Sequence, residues 1–185
     1  MIFEDFFIKG YAKGVYDNES ALSFFDSFVF QDAELVDRRP PPGSEKALND
    51  IAIFLKETYI NQIFDDVTIN QVSMWQSVDG PSGDWHNDRY YKKIDENTWE
   101  GHRFNSNILI YLDKNSKEIG NSIEFKNQNE EFIEYPSRGD FVWINQSQGF
   151  QHRATHKQGS RRVLSFEYYI PALPKGGLVH HGLDY

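Results

Sequence analysis

Residues 139–170 read GDFVWINQSQGFQHRATHKQGSRRVLSFEYYI. Two short runs rich in β-branched and aromatic residues, Phe141 to Asn145 and Arg162 to Ile170, flank a polar turn, Gln146 to Gln151, followed by His152. Runs of that length, broken by Gly, Asn and Gln, read as strands. The same texture extends backwards through Val67 to Ser77, Asn107 to Leu112, Ser122 to Phe125 and Glu131 to Tyr135. Many short strands with turn signals between them predict an antiparallel sandwich, barrel or jelly roll.

Upstream of Asp66 the pattern changes. Pro40-Pro41-Pro42-Gly43 must be a loop, because proline fixes φ and removes backbone donors. It separates two predicted helices, Glu19 to Val29 capped by Asn18, and Ser44 to Ile63 capped by Ser44. In the second, Leu48, Ile51, Leu55 and Tyr59 recur at three- and four-residue steps. The fold class is therefore mainly β with N-terminal helices (α+β). It reads as one domain: residues 1–65 as helical support, 66–171 as the β core and 172–185 as a C-terminal tail.

Composition narrows the function. The 185 residues are 39% hydrophobic and 16% aromatic, enough for a sizeable core. A formal net charge of -9 repels phosphate backbones and disfavours nucleic acid. With no cysteine, disulfides, thiolate catalysis and Cys-ligated zinc or iron–sulfur clusters are excluded. MIFEDFFIKGYAKGV lacks the pattern of a signal peptide, and no apolar run approaches the roughly 20 residues that span a bilayer. A soluble, cytoplasmic protein is expected.

Of six histidines, two sit where chemistry can use them. In Asp84-Trp85-His86-Asn87-Asp88, residues i and i+2 of an extended chain share a face, so His86 and Asp88 could address one ion. His152 would supply a second imidazole. Two histidines and one carboxylate leave three octahedral positions open, the facial triad of non-haem Fe(II) oxygenases. A bidentate 2-oxo acid takes two and O2 the third. The tail of 2-oxoglutarate then needs a fixed cation, for which arginine offers a planar fork. Arg161 shares a strand face with Val163 and Ser165, and Arg162 with Leu164 and Phe166. Parity leaves the choice open, and Gly159-Ser160-Arg161 favours Arg161. Each feature alone has a bland reading; the ordered set carries the weight.

From Ser73 to Tyr169 the chain resembles the double-stranded β-helix (jelly-roll, cupin-like) core of 2-oxoglutarate/Fe(II)-dependent oxygenases, in particular the prolyl-4-hydroxylase-like branch. The resemblance rests on His86-Asn87-Asp88, Ile110-Tyr111-Leu112-Asp113, Gly120-Asn121-Ser122-Ile123-Glu124-Phe125, Gly139-Asp140-Phe141-Val142, His152 and Gly159-Ser160-Arg161, in that order. It implies His86, Asp88 and His152 as iron ligands and Arg161 or Arg162 as partner of the 2-oxoglutarate C5 carboxylate. It implies Tyr111 as a donor to that carboxylate, against a plain core role, and Asn107 as a pocket residue. Tyr-Leu-Asp replaces the family's commoner Tyr-Leu-Asn, and Gly-Asn-Ser replaces a Gly-Gly pair, neither at a ligand. The retained Asp88 argues for hydroxylation or another oxidative outcome and against halogenation, since related halogenases lack this carboxylate.

The implied reaction is decarboxylation of 2-oxoglutarate at Fe(II) with release of succinate and CO2, and hydroxylation of a C–H bond in a peptidyl (prolyl) or small amino-acid-like substrate. The rivals are a catalytically inactive β-sandwich binding module and a cupin-type metal enzyme that needs no 2-oxo acid. Trp85 could shape a pocket, while Trp75 reads as core. His156 and His180-His181 read as surface, and Arg89 to Arg103 as a substrate-contacting loop.

Overall fold

The computed structural model describes residues 2–28, 36–77, 83–87, 91–93, 99–101, 105–113, 120–146, 149–155 and 161–170. In chain order these form α1 (Ile2–Ile8), β1 (Tyr11–Val15), α2 (Glu19–Phe24), β2 (Val36–Arg39), α3 (Glu45–Thr58), β3 (Thr68–Ser77), β4 (Tyr91–Lys93), β5 (Trp99–Gly101), β6 (Asn105–Tyr111), β7 (Ser122–Lys126), β8 (Glu131–Glu134), β9 (Asp140–Asn145), β10 (Gln151–Thr155) and β11 (Arg161–Tyr169). A six-stranded sheet runs in the order β1-β9-β6-β11-β3-β2, a three-stranded sheet in the order β10-β7-β8, and β4 pairs with β5. Every pairing is antiparallel.

Alternation along the strands of the large sheet divides its side chains between two cores. Ile108, Ile110, Trp143, Leu164 and Phe166 face the helices and meet Leu48, Ile51 and Leu55 of α3. Leu109, Tyr111, Val142, Ile144 and Val163 point the other way, toward Ile123 and Phe125 of the small sheet. Two sheets packed around that second core make a jelly roll, backed on one side by helices. Its inner cluster is the smaller of the two, and polar groups share its space.

The N-terminal segment contributes more than the predicted helices. β1 joins the large sheet beside β9, and β2 joins its other edge beside β3. The run containing β1 is short and interrupted by Gly14, so it lacks a strand signature. That glycine is needed: a Cβ there would come within 2.3 Å of the Phe141 ring. From β1, Tyr11 enters the inner core and stacks on Phe125 at 4.0 Å.

Helix boundaries also shift. Asn18 caps α2 as predicted, its side chain accepting from the Ala21 N–H at 3.1 Å, but Phe25–Ser27 is a 3-10 turn. Ser44 stands at the α3 N-cap without capping it; its hydroxyl donates to the Pro41 carbonyl at 2.6 Å. The rigid proline loop presents that carbonyl to it. Beyond Thr58 the predicted second helix gives way to the 3-10 turn Ile60–Gln62.

Candidate functional site

A segment just before Asp88 extends the small sheet. The Gly83 N–H donates to the Ala154 carbonyl at 2.9 Å. His86 and His152 exchange both backbone hydrogen bonds, at 3.0 and 2.9 Å. His152 therefore lies inside β10, where the sequence predicts a turn, Gln146 to Gln151, followed by a lone histidine. The polar composition of Gln151 to Thr155 hides it.

Directly paired residues project to the same face, so the two imidazoles stand side by side with centroids 4.4 Å apart. His152 is buried and pairs with Phe125 of the inner core, whereas His86 is exposed at the rim. The His86 Nδ1 lies 2.8 Å from the Asp84 carbonyl, which can only accept. Nδ1 therefore carries the proton and Nε2 the lone pair, the tautomer that a metal ligand requires. The ring spacing lets both reach one ion at metal–nitrogen bonds of about 2.1 Å. Asp88 lies outside the described residues. Among the described residues no further carboxylate or imidazole joins the pair.

The residue between the predicted ligands is tied back: Asn87 Nδ2 donates to the Phe150 carbonyl at 2.9 Å. Trp85 corrects an expectation. Alternation turns it away from the inner face, and the Arg153 guanidinium, itself paired with Glu124 at 2.6 Å, lies 4.5 Å from the centre of its ring. Trp75 packs against the inner core, with its Nε1 donating to the Ser73 hydroxyl at 3.1 Å.

The strand pairing resolves the arginine parity. Arg161 points between the sheets, is buried, and donates from Nη1 to the Ser122 carbonyl at 3.2 Å. Arg162 points to the helix side, where Nε and Nη2 hold Asp113 at 3.1 and 3.0 Å and Nη1 reaches the Asp26 carbonyl at 3.3 Å. Arg162 is thus engaged structurally and cannot turn inward.

Around Arg161 lie groups that find no hydrogen-bond partner among the described residues. Tyr111, on the inner face of β6, is buried with its hydroxyl unpartnered. Burial pushes its pKa up to about 12, against the lowering effect of the nearby Arg161 charge. Ser77, cross-strand from Arg161, has an unpartnered hydroxyl oxygen, and Asn121 has both amide atoms unpartnered. Sequence reasoning missed these two. Only the departure from a Gly-Gly pair pointed toward Asn121. Asn107 faces inward as the spacing predicts, but its Oδ1 already accepts from Ser165 Oγ at 3.2 Å. At about 3.3 Å per residue it stands roughly 13 Å along the strand from Tyr111, too far to share one carboxylate with it.

Within the stretch from Arg89 to Arg103, β4 and β5 form a short hairpin; its other residues lie outside the described ones, as do His156, His180 and His181. No helix of the described residues is long and apolar enough to cross a membrane.

No protein-family model matches the chain, and no curated protein matches it by sequence. Solved structures do match. HygX from Streptomyces hygroscopicus, with nickel and 2-oxoglutarate bound, superposes at a TM-score of 0.67 and 12% identity, over 91% of this chain and 86% of that one. The viral collagen prolyl hydroxylase vCPH from Paramecium Bursaria Chlorella virus-1, as its 2-oxoglutarate complex, gives 0.62 and 12% over 88% and 96%. A prolyl hydroxylase from Trichoplax adhaerens, in complex with a hypoxia inducible factor peptide fragment, gives 0.64 and 11% over 92% and 88%. The chain has the fold of the prolyl-4-hydroxylase-like 2-oxoglutarate oxygenases.

Proposed function

We propose that this chain is an Fe(II)- and 2-oxoglutarate-dependent dioxygenase that hydroxylates a C–H bond. The observation that carries the reading is the buried Arg161 beside the unpartnered Tyr111 hydroxyl, on the inner face that also bears His152. A buried cation and an idle donor fit a carboxylate, and a cupin-type metal enzyme without a 2-oxo acid has no need of them. An inactive sandwich would have no reason to keep an unsatisfied hydroxyl in its core.

His86, Asp88 and His152 are the metal ligands of this reading, with Asp88 placed by sequence alone. Iron(II) held there supplies the oxygen chemistry, with 2-oxoglutarate as the co-reductant that leaves as succinate and CO2. Arg161 receives the distal carboxylate, and the raised pKa of Tyr111 keeps its proton available for donation at neutral pH. The Asp84 carbonyl fixes the His86 ring. A carboxylate at position 88 would take the place that a halide needs, which favours hydroxylation or another oxidative outcome over halogenation.

Proteins of this fold hold chemically different molecules: the Trichoplax prolyl hydroxylase is in complex with a peptide fragment, and HygX has hygromycin B bound. For this chain we favour a peptidyl, in particular prolyl, or small amino-acid-like substrate, contacted by residues between Arg89 and Arg103. Anaerobic protein given Fe(II) and 2-oxoglutarate should develop the weak visible charge-transfer band of the chelate. His86→Ala should abolish it and His156→Ala should leave it intact. A wild type without the band sinks the reading.

A further inference from the structure

Asn121 is 1% exposed, and among the described residues neither Nδ2 nor Oδ1 has a hydrogen-bond partner. A buried amide left unsatisfied destabilises the chain that carries it, so such a group calls for an explanation. Its position supplies one. Asn121 leads into β7 and alternates with Ser122, placing it on the side of Ile123 and Phe125, which belong to the inner cluster with Tyr111 and Val163. The carbonyl of the next residue, Ser122, accepts from Arg161 Nη1 at 3.2 Å. Ser77, opposite Arg161 across β3 and β11, has an idle hydroxyl as well. Three polar side chains without a partner among the described residues thus share the inner face with one buried guanidinium.

We propose that Asn121 is a specificity-determining residue for the 2-oxo acid, its side-chain amide donating to the distal carboxylate of 2-oxoglutarate alongside Arg161 and Tyr111. The inference rests on the cosubstrate reading above. An amide suits the place: it adds a donor without adding charge, where a second cation would be repelled by Arg161. Its Oδ1 then accepts from water that enters with the ligand. The glycine that the resemblance leads one to expect here could donate nothing from a side chain. The departure at Gly120-Asn121-Ser122, although not at a metal ligand, becomes a distinguishing feature of this chain.

The test is calorimetric titration of the oxygen-free, Mn(II)-loaded full chain with 2-oxoglutarate and, separately, with oxalate, which chelates the metal and has no distal arm. Asn121→Ala should weaken 2-oxoglutarate by about tenfold and leave oxalate unchanged. The isosteric Asn121→Asp, which sets a carboxylate against a carboxylate, should weaken 2-oxoglutarate further, again sparing oxalate. Unchanged 2-oxoglutarate affinity in both variants, or an equal loss for both ligands, overturns the assignment. If the wild type binds oxalate and does not bind 2-oxoglutarate, the cosubstrate reading falls and takes this one with it.

Discussion

Arg161 and Arg162 are adjacent in sequence and opposite in circumstance, because β11 separates two unlike environments. On the helix side Arg162 is saturated by Asp113 and the Asp26 carbonyl. Beside it Arg138 grips Asp26 at 2.8 Å, Glu19 at 2.9 Å and the Leu112 carbonyl at 2.7 Å. These contacts fasten the turn after α2 to the end of β6, above a large apolar core. On the inner side Arg161 has a backbone carbonyl, and its neighbours Tyr111, Ser77 and Asn121 have idle polar atoms. One face of the sheet is built to hold the fold, and the other keeps the idle polar atoms that the proposed cosubstrate would satisfy. A site of that kind is expected to gain stability when its ligand binds.

The widest separation between the faces should appear with Phe166→Ala. Phe166 is fully buried among the helix-side residues. Its truncation should cost about 3–5 kcal/mol in chemical denaturation while leaving 2-oxoglutarate affinity of the folded fraction near wild type. Arg161→Ala is the mirror image. It should lose about 100-fold in 2-oxoglutarate affinity by calorimetry, because a bidentate charge-assisted contact is removed, with little change in melting temperature. Arg162→Ala should lower stability by about 1–2 kcal/mol and leave cosubstrate affinity intact. If Arg162→Ala weakens the cosubstrate and Arg161→Ala does not, the two faces have been assigned the wrong way round.

Much of this was legible in the sequence, for identifiable reasons. Strands such as Phe141 to Asn145 and Arg162 to Ile170 are dense in β-branched and aromatic residues, and the structure places strands there within a residue at each end. β1 and β10 were not legible. The first is five residues long with a glycine inside it, and the second is a polar strand whose partners, β7 on one side and a bridge to His86 on the other, are distant in sequence. Local composition carries no trace of a pairing made at long range. The Arg161/Arg162 parity failed for a related reason. A strand buried on both faces shows no alternation to read, and residues 163–168 are buried throughout. The idle group at Ser77 has no sequence signature, and Asn121 has only the departure from a Gly-Gly pair, since a missing hydrogen bond is a property of the folded surroundings.

The smallest expected effect is also the one that touches both sides of the comparison. Tyr111→Phe deletes a hydroxyl that the protein alone does not use. Stability at neutral pH should hold or rise slightly, while 2-oxoglutarate affinity should fall several-fold, in line with about 1 kcal/mol for one hydrogen bond. Its alkaline behaviour fixes the sign independently. Burial raises the phenol from 10.0 to about 12, so the folded chain keeps a proton that the unfolded chain releases. Below the lower value both states hold it and Tyr111 has no pH-dependent effect. Between the two values the unfolded state is favoured increasingly as pH rises, and the wild type loses stability. The variant should show a shallower decline across that window. Tyr11 and Tyr168, both also raised by burial, remain in the variant, so the decline should be reduced without vanishing. An identical alkaline slope in the two proteins would mean that the Tyr111 hydroxyl reaches solvent, and the inner face would lose its claim to a sealed carboxylate pocket.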